Sequence, residues 1–148
     1  MQILQTPFHS LLGQQAAQLR TEVFVLEQGV PASEELDHYD PTATHFVVVQ
    51  DDQVIATLRI VRVDSPEGSA AKIGRVAVAK HLRNQGIGRE LMLAALDYIR
   101  SQHFNKCILG AQVPVVAFYE KLGFIPHGPI FDDCGIPHRN MTLQIGSP

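Results

Sequence analysis

The sequence predicts an α/β domain on a mixed sheet, and three observations carry that expectation. β-branched runs cluster between residues 45 and 79. From residue 86 the apolar period lengthens to three and four, as in an amphipathic helix. A short strand, another helix and two strands follow, giving the order helix, strands, strand–helix–strand–helix, strands. That order places a parallel pair of strands around the central helix. With 148 residues, one domain is expected to span 1–148. A chain of that size buries about 68–70% of its unfolded surface.

The first helix is expected from Ser10 to about Val25, with Ser10 as N-cap and Leu12, Ala16, Leu19 and Val23 at helical spacing. Residues 27–44, rich in Pro, Asp, Glu and His, read as a loop or irregular helix. Strands follow at His45–Gln50 and Val54–Val63, joined across Asp51-Asp52-Gln53. Asp64–Gly68 reads as a turn and Ile73–Ala79 as a third strand. Gly86 to about Gln102 carries Ile87, Leu91, Ala94, Ala95 and Tyr98 on one stripe, widened by Leu96 and Ile99. A strand is expected at Lys106–Gly110 and a helix at Pro114–Leu122, with Gly123 as its stop. Two further strands fit Pro126–Phe131 and His138–Ile145.

A net charge of −3 argues against a nucleic-acid binder, which usually carries a basic stripe. No apolar run approaches the roughly 20 residues of a membrane span. Met1–Gln5 lack the charged start and long apolar stretch of a signal peptide. Cys107 and Cys134 form no CxxC pair, so a reduced, cytoplasmic setting without disulfides is expected.

Chemistry concentrates where Val76-Ala77-Val78 leads into Arg83-Asn84-Gln85-Gly86-Ile87-Gly88. Glycines let a backbone turn sharply and approach a ligand, and the helix start that follows favours an anion such as phosphate. Position 91 is Leu, which departs from the dinucleotide fingerprint, and no P-loop GK[ST] is present. A glycine turn before a helix is also a common structural device, so GxG by itself leaves the ligand open.

Arg83-x-x-Gly86-x-Gly88 after a Val-Ala-Val strand resembles the coenzyme A signature of the Gcn5-related N-acetyltransferases. Ala117-Phe118-Tyr119-Glu120-Lys121-Leu122-Gly123-Phe124 is similar to the second signature of that family. Leu19-Arg20, Glu22–Val25, Glu27-Gln28 and Gly135-Ile136-Pro137-His138 extend the resemblance to a subgroup of small bacterial members. The fold so implied is a mixed sheet of about six to seven strands flanked by helices, its central parallel strands splayed to bind coenzyme A.

Further implications rest on the resemblance, residue by residue. The pyrophosphate would sit on the amides of Gln85, Gly86, Ile87, Gly88 and Arg89, with Arg83 and Asn84 at the entry. Pantetheine would pair with the edge Val76-Ala77-Val78, where an N–H can polarise the thioester carbonyl. Gln112, Phe118 and Lys121 complete the expected cofactor contacts, with acetyl-CoA as cosubstrate. Tyr119 matches the position that protonates the leaving thiolate, since a thiol of pKa about 8.5 and a phenol of about 10 exchange a proton readily. The bland alternative makes Tyr119 an aromatic helix anchor.

An amine nucleophile must first lose a proton. Lys72, Gly74 and Arg75 stand where relatives often place a carboxylate on the preceding strand. His138 becomes the first candidate base, because an unperturbed histidine side chain titrates at about 6.5. Glu27, Asp37 and His45 are weaker candidates on the acceptor side. Asp37, His38, Asp40 and His45 fit no zinc spacing, and no metal is expected. Cys107 reads as a buried hydrophobe and Cys134 as a loop thiol lacking an activating group, so direct transfer is preferred to an acyl-cysteine. The expected reaction is N-acetylation of a small-molecule or amino-acid-like amine, without nucleic-acid or membrane partners. A protein amine, a longer acyl chain and a noncatalytic acyl-CoA sensor stay open, and apolar C-terminal strands suit a homodimer.

Overall fold

The computed structural model describes residues 1–145, and residues 146–148 of the expected domain lie outside it. One sheet of seven strands runs through the molecule in the order β1-β2-β3-β4-β5-β7-β6. β1 (Gln2–Thr6) was not anticipated, because a short, half-exposed edge strand has little apolar alternation. It pairs antiparallel with β2 (Thr44–Gln50), which pairs antiparallel with β3 (Gln53–Ser65). Asp51 and Asp52 take φ of 51° and 61°, the left-handed pair that a two-residue hairpin turn requires. β3 then pairs with β4 (Gly68–Val78) across Pro66-Glu67, so β4 starts five residues before the expected strand.

Helix α1 (Leu11–Arg20) begins as expected, with the Gly13 N–H donating to Ser10 Oγ at 2.9 Å. Its anticipated continuation widens into a π-helical turn over Thr21–Glu27. One further helical turn, α2 (Ala32–Glu35), lies in the segment expected to be irregular. Helix α3 (Ile87–Arg100) buries Ile87, Leu91, Met92, Ala95, Leu96 and Ile99 against β2, β3 and β4. Its stripe is thus rotated from the expected one, with Ala94 and Tyr98 only half-buried at its margin. After β5 (Lys106–Gln112) the chain makes a 3-10 turn and a short α4 (Val116–Glu120), stopped at Gly123 with φ of 100°. β6 (Ile125–Asp133) and β7 (Ile136–Gln144) form the last hairpin, and β7 inserts between β5 and β6.

The two faces of the sheet differ in chemistry. Under α3 the core is apolar, with Phe46, Leu58, Ile73, Leu109 and Met141 buried. On the α1 face lies a charged cluster. Arg20 is 2% exposed and binds Glu35 Oε1 at 3.1 Å and Asp40 Oδ1 at 2.7 Å. Arg59 reaches Asp37 at 2.6 Å and Asp40 at 2.9 Å, and Arg75 reaches Glu35 at 3.0 Å and Asp37 at 3.3 Å. Three guanidinium groups therefore meet three carboxylates, and the loop carrying α2 is fixed onto β3 and β4.

Burial raises the Asp40 pKa, but hydrogen bonds from Arg20, the Asp37 N–H and Arg59 overcome it and hold the group at about 2. A depressed carboxyl pKa contributes stability above the ordinary value of 3.8, and that stability is lost as pH falls toward about 2. Burial pushes Glu35 upward instead, so its slope has the opposite sign at higher pH. Asp40→Asn leaves Arg20 and Arg59 short of a buried counter-charge, and unfolding stability at pH 7 should fall by about 3–5 kcal/mol. Urea melts between pH 2 and 7 check this: the variant should lose part of the wild-type decline between pH 4 and 2.

Candidate active site

β4 and β5 run parallel but pair only where Ala70, Ala71 and Lys72 meet Lys106, Cys107 and Ile108. Beyond that, β4 continues to Val78 and β5 to Gln112 without a ladder between them. A gap opens through the sheet, edged by backbone groups that no neighbouring strand satisfies. Val76 and Val78 pack against the core under α3, whereas Ala77 lies with Leu19 and Val23 on the α1 face.

The turn after β4 is held by its own side chains. Arg83 donates from Nε to the Val78 carbonyl at 3.0 Å and forms a two-pronged ion pair with Glu27. Asn84 and Gly86 both have left-handed backbones, with φ of 64° and 82°. A Cβ on Gly86 would meet nothing within 4 Å, so the torsion alone asks for glycine. No side chain caps α3, whose first backbone bond runs from the Glu90 N–H to the Gly86 carbonyl at 3.1 Å. The N–H groups of Ile87, Gly88 and Arg89 are left without helical acceptors and face the positive end of the dipole. Free N–H groups at a helix start are suited to an anion such as phosphate. Gln85 and Arg89 are exposed here, Lys121 is exposed at the end of α4, and Arg89 has only a loose 3.9 Å contact with Glu90. A Cβ on Gly88 would sit 3.7 Å from both Phe118 and Val78, so these three residues meet at the start of α3.

Tyr119 is 7% exposed, packed edge-on to Phe118 and Phe124 with centroids 5.0 and 6.0 Å away. Burial pushes its phenol up to about 12, so the group keeps its proton at neutral pH. His138 lies opposite Gln112 in the β5–β7 register and stacks on Phe131. Its Nδ1 is 2.7 Å from the Ile136 carbonyl, which only accepts, so Nδ1 carries a hydrogen, and in the neutral form of the ring the lone pair lies on Nε2. The Gln112 amide donates to Gln28 Oε1 at 2.9 Å.

The remaining acceptor-side candidates are engaged elsewhere. The Glu27 carboxyl is lowered by its hydrogen bond to Arg83 and serves to hold the signature turn. Asp37 is lowered by Arg59 and belongs to the charged cluster, although its side chain stays 25% exposed. His45 is 2% exposed, burial lowers its pKa, and its Nε2 bonds the Asp40 carbonyl at 2.8 Å. A ring so enclosed reaches no acceptor, and the structure makes His45 a packing residue. The cluster also occupies Asp37 and Asp40; among the described residues no group of His, Cys, Asp and Glu is placed to hold a metal ion. Cys107 is fully buried, with its thiol pushed up to about 12 by burial, and the exposed Cys134 thiol is also raised, by burial and then by Asp133.

Sequence reasoning passed over Gln28 and Arg75. Gln28 stood in a family-like run, but only the fold brings it to Gln112, 84 positions away. Arg75 sits at φ of 54° in a bulge, where β4 places Arg75 and Val76 against Leu58 alone. A preceding Gly74 was the single local hint.

The model of the acetyltransferase (GNAT) domain family matches residues 11–145. Protein ElaA of Escherichia coli (strain K12) is 34% identical over 131 residues, covering 86% of this chain and 84% of that one. The uncharacterized N-acetyltransferase YjcF of Bacillus subtilis (strain 168) is 35% identical over 124 residues, covering 83% and 86%. The crystal structure of E. coli ElaA superposes with a TM-score of 0.83 at 30% identity, over 96% of this chain and 99% of the other. The acyl-homoserine lactone synthase BjaI, solved with SAM and isopentyl-CoA, shares the fold at a TM-score of 0.80 and 16% identity, over 97% and 83%. With the splayed strands, the uncapped helix start and these matches together, the chain belongs to the GNAT acetyltransferase family and is an acyl-CoA-dependent acyltransferase.

Proposed function

We propose that the protein transfers an acetyl group from acetyl-CoA directly to the amine of a small, amino-acid-like acceptor. The observation that carries this reading is the gap between β4 and β5, flanked by the cradle of α3 and by the free Nε2 of His138. Amides of residues 85–89 bind the pyrophosphate, with Arg89 and Lys121 adding charge around it. The edge Val76–Val78 holds the pantetheine, and an N–H from it donates to the thioester oxygen as charge develops there.

His138 Nε2 takes the proton of the attacking amine. The new C–N bond forms as the C–S bond breaks, and Tyr119 delivers its proton to the departing sulfur. With its pKa held at about 12 the phenol is fully protonated at neutral pH but a weaker acid than a free phenol, and the tyrosinate left after the transfer regains its proton from solvent. Cysteine chemistry has no place in this scheme, because both thiols are raised rather than activated. Free cysteines suit a reducing, cytoplasmic setting.

Release of coenzyme A thiol from acetyl-CoA, across amines, amino acids, polyamines and a lysine peptide, tests the reading. Acceptor-dependent release is expected, greatest with an amino-acid-like amine. Binding without release for every acceptor would instead favour a sensor. Tyr119→Phe should lower kcat by about 10²–10⁴-fold while acetyl-CoA affinity, followed by calorimetry, stays close to wild type. His138→Ala should lower kcat/KM by about 10²-fold or more near pH 7, with partial recovery at pH 9–10 as free amine accumulates. A pH–rate profile parallel to wild type would remove His138 as the base.

A further inference from the structure

Glu27 and Gln28 close the wide turn that follows α1, and their side chains reach the two lips of the gap. Glu27 holds Arg83, just beyond the β4 lip, and Arg83 in turn holds the Val78 carbonyl. Gln28 holds Gln112, the last residue of the β5 lip. Glu27 and Gln28 are adjacent in the chain, so the end of one turn serves both lips. The two links differ in strength: the Glu27–Arg83 pair is charged and two-pronged, whereas Gln28–Gln112 is a single neutral bond of 2.9 Å between solvent-accessible amides.

The sides of the sheet matter here. Val23, in the same wide turn, packs with Ala77 on the face opposite α3. Gln112 shares a side of β5 with Gly110, where a Cβ would meet Phe131 and Asn140 rather than the core under α3. A thioester whose phosphates rest on α3 therefore passes through the gap and emerges at Gln28, Gln112 and His138. Any chain carried on the thioester carbonyl meets the two amides first.

We propose that the Gln28–Gln112 bridge sets the acyl-chain limit of this enzyme, admitting acetyl and turning away chains several methylenes longer. This rests on the acyl-CoA reading above and names the residues that select the donor. An apolar tail that parts the bridge breaks its hydrogen bond and shields the amides from water on the side it covers, an unfavourable exchange. An acetyl group ends short of it, and a polar acceptor can take over its hydrogen bonds.

Calorimetric titration of the full chain with acetyl-CoA and with hexanoyl-CoA tests this without knowledge of the acceptor. The unsubstituted protein should bind acetyl-CoA more tightly. In Gln28→Ala the ratio of the two affinities should shift about fivefold or more toward hexanoyl-CoA, the worth of one neutral hydrogen bond. Gln112→Ala should produce the same shift, and the double variant no more than either alone, because one bond is removed in each case. Tighter binding of hexanoyl-CoA by the unsubstituted protein, a shift under about twofold in Gln28→Ala, or shifts that add in the double variant would each overturn the proposal. Failure of the unsubstituted protein to bind either thioester would overturn the acyl-CoA reading itself and the proposal with it.

Discussion

Arg75 holds a left-handed backbone inside a strand, and much of the molecule follows from that bulge. For a residue with a Cβ the conformation costs about 1–2 kcal/mol. The surroundings supply the offset: Arg75 is ion-paired with the Glu35 carboxylate at 3.0 Å and donates to the Glu35 carbonyl at 3.1 Å and to Asp37 at 3.3 Å. The bulge lies between the three residues where β4 pairs with β5 and the three residues that border the signature turn. It kinks β4 and increases its twist where the two strands separate. Strain inside the sheet thus coincides with the opening between β4 and β5.

The division of the sheet into two faces separates holding from reacting. Under α3, apolar packing fixes a helix whose uncapped start is kept free for an anion. On the other face, three arginines and three carboxylates fix a loop whose Leu36 and Tyr39 stay exposed. Such a balanced cluster adds little net stability relative to an apolar core, yet it is costly to disturb in part. Its use here is positional: it fixes the loop that follows Glu27 and Gln28 onto β3 and β4.

Elements whose cause is local were legible in the sequence. Ser10 as a cap, the glycine stop at Gly123, the change of period at Gly86 and the aspartate hairpin all act within a few residues. Val76–Val78 and the signature turn could be placed because a strand, a turn and a helix follow each other directly. What the sequence hid was made by distant pairs. Arg20 meets Asp40 across 20 positions, Arg75 meets Glu35 across 40 and Arg83 meets Glu27 across 56. A charged residue read one at a time looks equally ready for substrate or partner, which is why Glu27, Asp37 and His45 were read toward an acceptor. His45 illustrates the point: histidine chemistry suggested a base, but burial on a strand decided its role. His138 keeps its candidacy because the Ile136 carbonyl fixes its tautomer, a constraint visible only once β7 turns after Gly135.

β6 contributes no buried residue, and β7 contributes only Met141. The hairpin that carries His138 and Phe131 therefore owes little to the core, whereas β4, α3 and α4 are rooted in it. Substitutions along the hairpin are cheap in folding terms, so selection can remodel that border over many generations without endangering the rest of the chain. That border can therefore vary at little cost in folding, while β4 and α3, rooted in the core, cannot.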